Sequence, residues 1–130
     1  MSKQFHLLPS ALITRQPGEE DWAAMSNHLM RTHHSINWWI GDFFSVGQKQ
    51  LGEDFYQYVD PYFSQSLIER CVRVAESFPP GERFEKLSWS HHQGVMTLSK
   101  PMRKAVLTLA QKQNWNTYET KEYVKGLENG

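Results

Sequence analysis

The densest run of groups able to read another molecule is Ser64, Gln65, Ser66, Glu69 and Arg70, with Arg73 about one turn further on. Gln presents an amide that pairs bidentately with adenine. Arg presents a fork that fits guanine, and Ser suits a phosphate or a base edge. The surrounding stretch FYQYVDPYFSQSLIERCVRVAESF, residues 55–78, reads as a short helix, a turn and a Ser-capped helix. That is the layout of a helix-turn-helix, whose second helix enters the major groove N-terminus first. Leu67, Ile68, Cys71 and Val72 would anchor it to a core. A packed pair of helices that reads nothing fits the same letters, so the pattern alone leaves both open.

Other residues invite different chemistry. His33-His34 and His91-His92 suggest a metal, but neighbours on a helix point about 100° apart and cannot chelate one ion as i, i+4 histidines do. No metal is expected. Asp42 beside Trp38 and Trp39 could move a proton; a carboxylate hydrogen-bonded to a helix end or an indole N–H fits it better. No nucleophile–His–acid trio, P-loop or dinucleotide fingerprint is present. Cys71 falls on an apolar helix side and reads as core. The expectation is therefore a non-enzyme with no catalytic residue, no cofactor and no evident small-molecule substrate.

These groups must be positioned by helices. Residues 1–17 read as an arm, broken by Pro9 and Pro17. Glu19, Glu20 and Asp21 suit a helix first turn, and Trp22, Met25, Leu29 and Met30 follow at helical spacing. A second amphipathic stretch holds Ile36, Trp38, Trp39, Ile40, Phe43, Phe44 and Val46, so 18–51 reads as a Trp-rich helical hairpin or one long bent helix. A short helix is expected over Glu53–Tyr58. Ser64 caps a helix to about Phe78, which Pro79-Pro80-Gly81 ends. A short helix from Ser88 or Ser90 carries Trp89, His92, Val95 and Met96. Lys100-Pro101 opens another, which Asn114 stops, and Thr117 caps the last. No strand is expected. The fold class is all-α, a compact multi-helix domain containing a helix-turn-helix, with residues 52–130 as its DNA-reading part.

The chain has 130 residues, 39% of them hydrophobic and 13% aromatic. That suffices for one core without a metal or disulfide, since a domain this size buries about two-thirds of its unfolded surface. A single cysteine excludes an internal disulfide. No secretory signal and no membrane-length apolar run is visible, so a cytoplasmic location is expected. Net charge is zero, but the first 60 residues hold four Lys and Arg against seven Asp and Glu, and the rest hold ten against seven. The basic bias of the second half makes Lys86, Lys100, Arg103 and Lys104 the expected phosphate contacts.

Three segments add a resemblance. FSQSLIERCVRVAESFP (63–79) resembles the recognition helix of ParB/KorB-type plasmid and chromosome partition proteins. EKLSWSHHQGVMTL (85–98) resembles that family's Leu-Ser-x-x-His-Ala helix, with His91 or His92 in the histidine position. NWNTYETKEYVKGL (114–127) is similar to its third helix, through Thr117, Glu119 and Val124. The resemblance spans about residues 53–127 and implies reading of double-stranded DNA, as a transcriptional regulator or a centromere binder. The family's nucleotide-binding box and C-terminal dimerisation domain have no counterpart, so CTP hydrolysis and a ParA-type partner are not implied. Trp38, Trp39, Gly41, Asp42 and SWSHH also look like uncharacterised phage and plasmid helix-turn-helix proteins.

A homodimer is expected on affinity grounds, because lone helix-turn-helix units bind weakly, and the Trp38–Phe44 cluster exceeds what one helix face buries. The alternative is a protein–protein interaction module, such as a phage-encoded inhibitor or adaptor, using the Trp-rich N-terminal half.

Overall fold

In a computed structural model, which describes residues 4–130, the chain is mostly helical with one small sheet. It divides into two units, one ending at His33 and the other beginning at His34.

The first unit opens with a hairpin. Strand β1 (Phe5–Leu8) pairs antiparallel with β2 (Ala11–Thr14), Phe5 facing Thr14 and Leu8 facing Ala11. Residues 1–17, expected as an arm without strands, therefore contain two. Pro9 and Ser10 occupy the two-residue connection, so the proline that breaks a helix here serves a turn between extended segments. Phe5 is buried and meets Trp22 edge-on, ring centroids 5.3 Å apart, and Met25 is buried too.

Helix α1 (Glu19–Leu51) is continuous over 33 residues. The hairpin expected for 18–51 is absent; the alternative of one helix is the arrangement found. No proline interrupts the segment. The Gly18 N–H donates to Asp21 Oδ2 at its start, and three carboxylates occupy the first turn. At its end Gly52 takes the left-handed conformation, φ 58°, which glycine adopts without steric cost.

In the second unit, the expected short helix after Gly52 is a tighter 3-10 segment, Gly52–Tyr58. Helix α2 (Gln65–Ser77) starts at Ser64, whose hydroxyl accepts from the Leu67 N–H. Helix α3 (Trp89–Gly94) starts at Ser88 and stops sooner than expected, leaving Val95 and Met96 beyond its end. Helix α4 (Lys100–Gln113) carries Pro101 in its first turn and ends at Asn114, φ 56°. Helix α5 (Thr117–Asn129) is capped by Asn116 rather than by Thr117, which is already helical. Asn116 and Glu119 exchange side-chain-to-backbone hydrogen bonds in a capping box.

Two apolar clusters hold this unit. Cys71, Val74, Phe78, Trp89, Val95, Val106, Leu107 and Val124 form the larger. Phe44, Phe55 and Ile68 form the smaller. Between them α1 crosses α2 at Gly41. A Cβ there would come within 2.8 Å of the Ala75 Cβ and closer still to the Cys71 carbonyl oxygen. Burial pushes the Cys71 thiol pKa up, a shift that Arg70 only partly opposes.

Because the obstructing atoms at Gly41 include backbone, Gly41→Ala should destabilise the fold by about 1–3 kcal/mol. A lower urea midpoint at unchanged slope is the expected result, and an unaltered midpoint would mean that the helices do not meet there.

Candidate nucleic-acid interface

Helix α2 carries two opposed faces. Ile68, Cys71, Val74 and Ala75 are buried, whereas Gln65, Ser66, Glu69, Arg70 and Arg73 are all exposed. At about 100° per residue these five share the outward arc. Gln65 donates from Nε2 to Glu69 Oε1 at 3.1 Å, and Ser64 Oγ is engaged as the cap. The face is mixed in charge. Glu76, at its far end, accepts from the Ser45 hydroxyl and meets Lys49 at 3.3 Å. Chiefly the Ser45 bond holds its carboxyl below the usual range. Before α2, residues 59–64 separate it from the 3-10 segment, a looser join than the three or four residues of a helix-turn-helix.

A tighter join lies between α4 and α5. Residues 114–116 make the whole connection, and left-handed Asn114 turns the chain. The Trp115 N–H returns to the Ala110 carbonyl at 2.9 Å, and the Trp115 carbonyl lies 2.8 Å from His91 Nε2 on α3. Helix α3 packs on both α4 and α5, with Thr120 and Val124 of α5 buried. This three-helix arrangement has the connection length of a helix-turn-helix, with α5 as its second helix. The signal was present as Asn114-Trp115-Asn116 between two amphipathic stretches, where Asn tolerates the left-handed region and caps helices. On α5, Tyr118 is 70% exposed, and Lys121, Glu122 and Lys125 are exposed beside it.

The expected phosphate contacts separate into two places. Lys100, Arg103 and Lys104 line one cleft together with Ser77 and Phe78 from the C-terminal end of α2. Lys86 lines another, with His91, Lys112 and Trp115. Ser66 and Ser77 stand about 16 Å apart along α2, so the three α4 cations do not flank its N-terminal reading residues. Arg103 is half-buried, and its Nη2 donates to the Met96 carbonyl at 2.9 Å. Helix α4 contains four cations and no carboxylate, and Lys100, Lys104 and Lys112 are exposed.

Of the residues that suggested other chemistry, His91, His92 and Cys71 are buried in the second unit, Asp42 is half-buried, and on α1 His33 is exposed and His34 half-buried. Asp42 binds the Arg83 guanidinium through both oxygens, at 2.7 and 2.9 Å. Its partner is thus an arginine, not the helix end or indole expected. Arg83 also donates to the Phe78 and Ala75 carbonyls and lies 4.1 Å over the Trp38 ring. His92 has no solvent exposure. Its Nε2 accepts from the Phe84 N–H, so Nδ1 carries the proton and donates to the Ser88 carbonyl at 2.8 Å. Trp38 and Phe78 press edge-on against the ring. Among the described residues no group of three His, Cys, Asp or Glu could hold a metal ion, and no helix is long and apolar enough to cross a membrane.

No known family profile matches the chain, and no solved structure does. The chain is similar to the transcriptional regulator NovE of Streptomyces niveus, 26% identical over 119 residues. The alignment takes in 91% of this chain and 55% of that protein, so the chain spans about half the length of the curated relative it matches.

Burial pushes the His92 pKa down to about 4 from an ordinary 6.5, the Ser88 bond offsetting only part of the shift. As pH falls through 6.5 the unfolded chain takes a proton that the folded chain refuses until about pH 4. Stability should therefore decline across that window by up to about 3 kcal/mol and gain no further loss from His92 below it. Urea unfolding at several pH values, compared with His92→Asn, isolates this contribution; parallel profiles for the two proteins would contradict it.

Proposed function

We propose that this protein is a transcriptional regulator that binds double-stranded DNA through its second unit. The observation that carries the reading is the helix pair α4–α5, joined by a three-residue turn, with an acid-free cationic helix beside the turn. In this reading α5 enters the major groove with Thr117, Tyr118 and Lys121 near base edges. Lys100, Lys104 and Lys112 meet phosphates. The likeness to the transcriptional regulator NovE favours regulation over the partition role that the ParB/KorB-type resemblance implies.

Helix α2 is the second reading surface, because Gln65, Ser66, Glu69, Arg70 and Arg73 all lie on one exposed face. Two copies of the chain would strengthen binding by presenting two reading helices to paired half-sites. On α1, Ile36, Trp39, Phe43 and Val46 form an exposed stripe opposite the buried Gly41 and Phe44. Trp39 is 59% exposed and Phe43 53%. We assign the second copy to this stripe; a protein partner there is the alternative, and would make the chain an interaction module.

Fluorescence anisotropy on DNA flanking its own gene, at two salt concentrations, tests the reading. Affinity for one fragment should fall steeply with salt. Lys121→Ala should cost about 1–3 kcal/mol on that fragment if Lys121 reads a base, while Lys104→Ala should weaken all sequences about equally. If Arg70→Ala is costly and Lys121→Ala silent, α2 reads the DNA instead. Absence of binding at low salt would sink the DNA reading and favour the interaction module. In sedimentation, Phe43→Asp should convert a dimer to a monomer, whereas a monomeric parent chain would remove the second copy from the stripe.

A further inference from the structure

The cleft between residues 77–85 and the start of α4 has features that DNA contact does not use. Its volume is about 760 Å3, within the range of small-molecule sites. Phe78, Phe84 and Pro101 supply apolar lining, and Gly81 leaves open space where a side chain would stand. Lys100, Arg103 and Lys104 bring three cations to the same lining, against the two carboxylates of Glu82 and Glu85. Among the described residues neither Arg103 nor Lys104 has a carboxylate within 4 Å, and Lys100 reaches Glu82 only at 4.0 Å. Arg83 also lines the cleft, but Asp42 already neutralises it.

Arg103 adds a second, independent mark. Its Nε is shielded from solvent and has no hydrogen-bond partner, although Nη2 is held by the Met96 carbonyl. A sheltered guanidinium N–H without an acceptor is costly, and an anion that supplies the acceptor removes the cost. Ser99 gives α4 no side-chain cap, so it supplies no acceptor to the Lys100 and Met102 N–H groups, and Pro101 between them has none to satisfy. Apolar side chains and three cations against two carboxylates thus line one volume, and the guanidinium of one of those cations is short of a hydrogen-bond partner.

We propose that this cleft binds a small amphipathic organic anion. Its ring or short acyl body lies against Phe78, Phe84 and Pro101, and its carboxylate or sulfonate is held by Arg103 and Lys104. Lys100 and Lys104 are then shared between this ligand and the DNA phosphates, so the anion competes with DNA. The ligand site is formed by this chain alone and stands whether or not the DNA reading does.

The probe is naphthalene sulfonate, titrated into the free chain without DNA and followed by amide chemical shifts. Uncharged naphthalene methanol serves as the control. The sulfonate should perturb Gly81, Phe84 and Lys104, and should bind about tenfold more tightly than the alcohol. Lys104→Glu, at an exposed position that does not threaten folding, should lower sulfonate affinity by about tenfold and leave the alcohol unchanged. Gly81→Phe should weaken both by filling the cleft. Equal affinity for the two probes, shifts centred on Trp39 and Phe43, or indifference to Lys104→Glu would each overturn the proposal.

Discussion

The second unit depends on the Arg83 side chain. Its guanidinium joins both oxygens of Asp42 on α1 to the carbonyls of Ala75 and Phe78 at the C-terminal end of α2, while lying over Trp38. A cation suits that end of a helix, where unpaired carbonyls concentrate negative potential. Only arginine has donors enough, in a planar array, to serve these acceptors and stack on an indole at once. Lysine would keep the charge and lose the geometry. The next residue continues the connection, because the Phe84 N–H is donated to His92 and His92 in turn donates to Ser88 at the start of α3. One short segment thus ties α1, α2 and α3 together through polar groups where the apolar clusters leave gaps.

Much of the helical frame was legible because its signals are local. Ser64, Pro79-Pro80, Pro101 and Asn114 act on their own backbone, and each stands at or beside a helix boundary. The β1–β2 hairpin was not legible, since a proline that breaks a helix does not by itself announce a turn between paired strands. The continuity of α1 was half legible, since the letters allow one helix or two. What decides it is not local: Gly41, which fits a stop or a close approach alike, is the point where another helix comes close enough to need no side chain. At the candidate site, charge and polarity identified exposed residues well but not their grouping. Arg103 reads as a surface cation in the sequence, and the fold partly encloses it. In the sequence Asn114 marks only a helix stop. Its role in joining two helices depends on His91, 23 positions earlier than Asn114, whose ring meets the following residue's carbonyl.

Helix α4 faces three ways. Val106, Leu107 and Ala110 enter the core, Lys104 and Lys112 face solvent, and the first turn borders the apolar cleft. The turn that follows the helix is held by the His91–Trp115 bond, which ties α3 to the start of α5.

The burial of Cys71 has a consequence beyond packing. Its sulfur sits beneath α1, near Asn37, with no exposure to solvent and with its thiol held protonated by desolvation. An electrophile that the thiolate would attack can reach it only when the packing around it opens, whether α1 lifts from α2 or the larger cluster comes apart. Since it is the chain's single cysteine, the rate of alkylation counts those openings directly, with no label introduced. The molecule thereby carries its own clock for the opening of its core.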